Sequence, residues 1–251
     1  MSNYFAFDFD GVICNSAGES GITAWRAAHQ LWPERVEATP SAEFIERFPR
    51  LRPVIETGYE NVAVVALVVN GHSDDEILAN FPAMRDAILA DSDFDAMAMR
   101  RAFSTVRDAW LAEDEESWLD AQSAYPGIVD VINAQSEPLC IITTKEDRFA
   151  RKLVARYGMQ VDADRIYALE SFEGGGKRSI LEKLAAEFPE RRLHFFEDRL
   201  ATLVKFPDTS LAALYLVDWG YNTALERAQA ESLDTIEVID RARFDSIVNP
   251  Q

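Results

Sequence analysis

Cysteine and histidine are scarce in this chain, and positive charge is in short supply. Two cysteines, Cys14 and Cys140, in 251 residues exclude a disulfide framework and predict a reducing, cytoplasmic compartment. The three histidines, His29, His72 and His194, are too far apart in pattern to form a zinc site. Lys and Arg number 25 against 43 Asp and Glu, a net charge of −18. That balance argues against a nucleic-acid partner, whose phosphates need clustered Lys and Arg. A small anionic ligand would need a locally positive pocket instead. No charged-then-apolar leader opens the chain, and no segment has the length and purity of a membrane span. Val62 to Val69 is strongly apolar but too short, and reads as a buried helix or strand.

What is present is enough apolar material for a core, 48% of residues, arranged in two textures. From about Ser16 to Ala124 the pattern is helical. Ser73-Asp74-Asp75-Glu76 has the form of a capping box, with Ser73 at the N-cap and Glu76 three residues on. Asp93 to Ala112 carries Phe94, Met97, Phe103, Val106 and Trp110 at helical spacing, the pattern of a core face. After Tyr125-Pro126-Gly127 short apolar strands alternate with helices. Strands are predicted at Leu139–Thr143, Ile166–Leu169, His194–Phe196, Leu211–Val217 and, at an edge, Thr235–Ile239. Helices are predicted up to Arg156, over Ser179–Phe188 and over Leu200–Val204. Such alternation implies an α/β fold: a Rossmann-like parallel sheet with helices on both faces. Its ligand edge lies at the carboxyl ends of the strands.

The chemically awkward residues fall at that edge. Tyr4 to Val12 reads as a buried strand running into Asp8 and Asp10, then Gly11. Two carboxylates there are hard to explain by packing, because burying them unpaired is costly and a divalent cation or a proton is the usual remedy. An exposed Asp-x-Asp-Gly turn is the alternative. Thr143 and Thr144 end the next strand and Glu197-Asp198 a later one. Lys177 opens a helix after three glycines, where an ordinary surface lysine is the competing reading. Together they suit phosphoryl transfer through a carboxylate. One Asp would attack phosphorus and a second would serve as acid and base. Mg²⁺ would be held by carboxylates, and a Thr hydroxyl and a Lys would neutralise the transferring group.

Asp8-Phe9-Asp10-Gly11-Val12 resembles the first motif of the haloacid-dehalogenase-like (HAD) phosphohydrolases with a helical cap. Cys140 to Lys145 resembles the second motif, Lys177 stands where the third motif's lysine is expected, and Phe195 to Ala201 is similar to the acidic fourth motif. Tyr125-Pro126-Gly127-Ile128 resembles the re-entry from cap to core, and Trp219-Gly220-Tyr221 the tail of phosphoglycolate-phosphatase-like members. The resemblance implies Asp8 as nucleophile, Asp10 as acid/base, and Thr143, Thr144 and Lys177 as phosphate-binding residues. It further implies Mg²⁺ on Asp8, the main-chain carbonyl of Asp10, and Asp198, with Glu197 close by. Asn15, Arg199 and Thr202 depart from the common pattern around the metal. Asp10 points to phosphate rather than halide chemistry.

The implied organisation is a catalytic core of residues 1–15 and 125–251 with a helical cap of 16–124 acting as a lid. Arg47, Arg50, Arg52, Glu56 and Tyr59 form the cap's most polar cluster, a candidate substrate contact or else a solvated helix end. The leading function is a Mg²⁺-dependent phosphatase acting on a small phosphorylated metabolite, as a monomer or homodimer with no nucleic-acid or membrane partner. A phosphosugar mutase of the β-phosphoglucomutase-like branch and a non-catalytic regulatory protein are the alternatives.

Overall fold

Tyr4 to Phe7 are all buried, as in a strand covered on both faces. The computed structural model describes residues 2–172, 174–206 and 211–250. Strand β1 (Ser2–Phe7) and the two-residue β2 (Cys14–Asn15) precede six helices: α1 (Ala17–Leu31), α2 (Ala42–Leu51), α3 (Gly58–Val69), α4 (Asp74–Asp91), α5 (Ala96–Glu113) and α6 (Glu115–Asp120). After β3 (Ser123–Ala124) the chain alternates. It runs α7 (Ile128–Ala134), β4 (Leu139–Ile142), α8 (Asp147–Arg156), β5 (Ile166–Tyr167), α9 (Gly176–Glu187) and β6 (Arg191–Glu197). The last elements are α10 (Leu200–Leu203), β7 (Ala213–Val217), α11 (Ala224–Glu231), β8 (Ile236–Ile239) and α12 (Arg241–Val248).

The chain divides into two compact units, residues 1–15 with 123–251, and residues 16–122. Ser123 and Ala124 belong with the first because they pair antiparallel with Asn15 and Cys14. The second junction therefore lies two residues before the one expected from sequence.

The first unit holds a six-stranded sheet of order β5-β4-β1-β6-β7-β8, parallel throughout. Strand side chains alternate between faces. Tyr4, Ala6, Leu193 and Phe195 therefore join Leu181 and Leu184 of α9 and Leu203 of α10 on one side. On the other, Phe7 and Phe196 meet Phe244 of α12, at ring separations of 5.9 and 5.1 Å. β1 sits centrally beside β6, and the chain leaves β1 towards β4 but leaves β6 towards β7, in opposite directions, so the carboxyl ends of β1 and β6 flank the switch in strand order. His194 is a core residue, its ring nitrogens 3.0 Å from the Tyr215 hydroxyl and 3.1 Å from Asn3 Oδ1.

The second unit is all helical. The Ser73 hydroxyl accepts the Glu76 N–H while the Glu76 carboxylate accepts that of Ser73, the capping box read from sequence. Asp95 caps α5 by accepting the Ala98 N–H, which sets the start of that helix at Ala96. The apolar Val62–Val69 segment is the body of α3, and Val62, Val64 and Val65 are wholly buried among Trp25, Phe48 and Phe103. No helix among the described residues is long and apolar enough to cross a membrane.

Candidate active site

β1 stops at Phe7, one residue before the first carboxylate. The Asp8 N–H still donates to Phe196 O at 2.8 Å, so its Cα stays registered to the sheet while its side chain is 6% exposed as a residue. Asp8 Oδ1 accepts the Phe9 N–H at 2.7 Å and Lys177 Nζ at 2.8 Å. Among the described residues the other oxygen, Oδ2, accepts no hydrogen bond. A tight turn follows, closed by the Ile13 and Cys14 N–H groups on Phe9 O and by the Gly11 N–H on Cys14 O. Gly11 has φ +87°, and a Cβ there would lie 1.9 Å from Asp198 Oδ2. Only glycine allows the turn to approach the second acidic strand end so closely.

At the end of β6, Glu197 is fully buried and Asp198 nearly so. Glu197 Oε2 accepts Lys177 Nζ at 2.8 Å, and Oε1 accepts the N–H groups of Asp198 and Arg199. Asp198 Oδ2 accepts the Tyr221 N–H at 2.7 Å. Lys177, from the first turn of α9, thus bridges β1 and β6 by pairing with Asp8 and Glu197 at once.

Carboxylate oxygens of Asp8, Glu197 and Asp198 lie within 4.8 Å of one another. Their charge exceeds what one ammonium can balance. Burial, and then the charge of Glu197, push the Asp8 carboxyl well above its ordinary range. The same two causes, in the same order, push Asp198 up to about 8. Burial also works to raise Glu197, but the charge and hydrogen bond of Lys177 outweigh it and hold it low. Burial would lower the Lys177 ammonium, yet the charges of Asp8 and Glu197 raise it above the usual lysine value. Buried oxygen donors with surplus negative charge are the donor set of a hard divalent cation, so these residues fit Mg²⁺.

Thr143 and Thr144 follow β4. Thr143 is buried, its hydroxyl oxygen accepting the Lys145 N–H at 3.1 Å, while Thr144 is exposed. Sequence reasoning passed over Lys145. It is 4% exposed, and its Nζ stands 3.2 Å from Asp10 Oδ1. The signal was a lysine two residues beyond the strand-ending threonine. The Trp219 to Asn222 segment also does more than sequence indicated. Trp219 Nε1 donates to Val12 O, and Tyr221 donates its hydroxyl to Asn15 Oδ1. Asn222 Nδ2 donates to Asp198 O and Val217 O. Gly220 packs against Asp198 so closely that a Cβ would lie 2.3 Å from the Asp198 Cβ. The segment clamps both acidic strand ends, and Asn15 is part of that clamp.

In the helical unit the polar cluster divides. Arg47 and Arg50 both pair with Asp74 at the start of α4, and Arg47 also donates to His72 O. Arg52 is buried, and Glu56 is exposed and donates its backbone N–H to Glu60. Burial, and then the nearby Glu60, raise the Tyr59 phenol. Sequence reasoning also missed a fully buried carboxylate, Glu19, which accepts both Arg107 Nε at 2.7 Å and Nη2 at 2.6 Å. Thr23 and Trp118 donate to it as well.

No family model and no curated protein matches the chain. Solved structures do. One is a predicted phosphoglycolate phosphatase from Haemophilus somnus, 15% identical over 98% of this chain and 96% of that one, with a TM-score of 0.63. A haloacid dehalogenase-like family hydrolase from Streptococcus pneumoniae is 16% identical over 100% and 99%, with a TM-score of 0.56. A predicted phosphatase from Clostridium acetobutylicum is 15% identical over 99% and 98%, with a TM-score of 0.55. The chain has the fold of these hydrolases along its whole length.

Proposed function

We propose that this protein is a Mg²⁺-dependent phosphoric monoester hydrolase acting on a small phosphorylated metabolite through an aspartyl-phosphate. The observation that carries the reading is Asp8. It is buried at the switch point of the sheet, pinned through Oδ1 by Lys177 and a backbone N–H, and its Oδ2 is free to attack. Solved structures of the same fold described as phosphatases support it.

Asp8 Oδ2 attacks phosphorus and the P–O bond to the leaving group breaks. Asp10 gives its proton to the departing oxygen, then takes one from the water that hydrolyses the aspartyl-phosphate. Lys177 and the Thr143 hydroxyl hold phosphoryl oxygens and offset their charge. Mg²⁺ would be held by Asp8, the main-chain carbonyl of Asp10, and Asp198, and when bound supplies positive charge to the phosphoryl oxygens. Both oxygens of Glu197 already accept hydrogen bonds, so its part is to aim Lys177 and to meet the ion through water. The two buried free cysteines are in keeping with a cytoplasmic setting.

A panel of phosphorylated metabolites assayed for phosphate release in Mg²⁺, and again in EDTA, tests the reading. Release that stops in EDTA and needs no bisphosphate activator is expected. No release from any member would sink it.

A further inference from the structure

Asp8 and Asp10 are each paired through Oδ1 with their own buried ammonium group. For Asp8 it is Lys177 at 2.8 Å, and for Asp10 it is Lys145 at 3.2 Å. We propose that Lys145 is the positioning residue of the acid/base, fixing Asp10 so that Oδ2 alone faces the leaving group. This rests on the phosphatase reading above.

The Lys145 side chain is 1% exposed. A lysine is almost never buried so deeply without an anionic partner, because desolvating the ammonium is costly. Its Nζ makes no hydrogen bond of good geometry, and Asp10 is its ion-pair partner. The contact is thus Coulombic, and Oδ1 is the oxygen nearest the ammonium. Asp10 Oδ1 is itself buried, although the Asp10 side chain is 23% exposed. Both partners are anchored at the backbone. The Lys145 N–H donates to Thr143 Oγ1 at 3.1 Å, and its carbonyl accepts the Leu169 N–H at 3.0 Å. Asp10 sits in the turn closed by Phe9, Gly11 and Cys14. What remains free is the Asp10 side-chain torsion, and the ammonium settles it. The proton passed to the leaving oxygen, and later taken from water, then resides on Oδ2. Proton transfer needs that alignment as much as it needs the group itself.

The test is a series of substituted phenyl phosphates of rising leaving-group basicity, with Mg²⁺, on wild type, Lys145→Met, Lys145→Gln, Asp10→Asn and the double variant Asp10→Asn/Lys145→Met. Lys145→Met should lower kcat by roughly 10–100-fold for the most basic leaving groups and little for the most activated one, as expected of impaired proton donation. Lys145→Gln should recover part of that loss. In the Asp10→Asn background the same change should cost less than about twofold, the signature of two residues acting as one unit. Inhibition by inorganic phosphate should be unchanged, since Lys177 rather than Lys145 faces the nucleophile. Equal losses across all leaving groups, additive losses in the double variant, weakened phosphate inhibition, or failure of both single variants to fold would each overturn the role. Wild-type turnover matched by Lys145→Met overturns this role alone. No turnover by wild type overturns the phosphatase reading and this role with it.

Discussion

Lys177 Nζ and Asp8 Oδ1 stand 2.8 Å apart, with side chains 9% and 8% exposed. Lys177 holds Glu197 at the same distance. In the proposed reaction the ammonium would lessen the repulsion that the Asp8 carboxylate meets as it approaches an anionic phosphoryl group, with Glu197 keeping the ammonium in place.

Lys177→Ala should therefore lose the phosphorylation step itself, by roughly 10²–10³ in rate if it equals one lost charge-stabilising donor. Asp10→Asn should still form the aspartyl-phosphate from an activated aryl phosphate and hydrolyse it slowly, giving a burst. Rapid-quench measurements separate the two, and a burst from Lys177→Ala with none from Asp10→Asn would reverse the assignment.

Asp8→Asn should reduce turnover by more than about 10³-fold while leaving the fold intact. Crystals grown with beryllofluoride should carry the phosphoryl mimic on Asp8. Finding it on Asp10, or near wild-type turnover from Asp8→Asn, contradicts the mechanism.

Gly11→Ala should disable the proposed metal site without removing a ligand. The added Cβ would fall 1.9 Å from Asp198 Oδ2, at φ +87°, so the turn and the carboxylate must separate. Calorimetric titration should show Mg²⁺ affinity reduced by at least about 10-fold, as for a disturbed ligand shell, and Asp198→Asn should do the same. Unchanged Mg²⁺ binding in both variants removes Asp198 from the site.

Arg107→Met should destabilise the helical unit by about 3–5 kcal/mol, because it leaves the Glu19 carboxylate buried and unbalanced. The pair is bidentate, at 2.7 and 2.6 Å, with Glu19 wholly buried. Urea unfolding followed by tryptophan fluorescence gives the figure, and a loss below about 1 kcal/mol would show the pair to be dispensable.

His194 should make the core acid-sensitive. Burial, assisted by the charge of Arg192, lowers its imidazole from an ordinary 6.5 to about 4. Between those values the unfolded chain binds a proton that the folded chain refuses, so stability rises with pH there. The contribution is complete above about 6.5 and is lost as pH falls towards 4. The stability of His194→Gln, set against wild type by urea unfolding from pH 4 to 7.5, should show wild type falling more steeply with acid. Parallel curves would contradict it.

The alternation of strands and helices after Tyr125 was legible because parallel strands must be short, apolar and separated by crossovers. The capping box at Ser73 was legible because its hydrogen bonds are local. Val62 to Val69 could not be assigned between helix and strand from its own residues. It became a helix because Val62, Val64 and Val65 all find apolar neighbours inside the helical unit, and an all-round apolar segment takes its conformation from its surroundings.

By itself the sequence determined the strand ends with the polar residues on or just past them, Asp8, Asp10, Thr143, Glu197 and Asp198, and the helix start that carries Lys177. These follow from short-range pattern, since a strand's end and the residue just past it are adjacent in the chain. The tertiary structure alone decided which charge meets which. Lys145 on Asp10, Arg107 on Glu19 and Lys177 on Asp8 are pairings between distant segments. A sequence read residue by residue contains no distance between segments, and an ion pair exists only once packing has brought its two halves within a few ångströms and excluded the water between them.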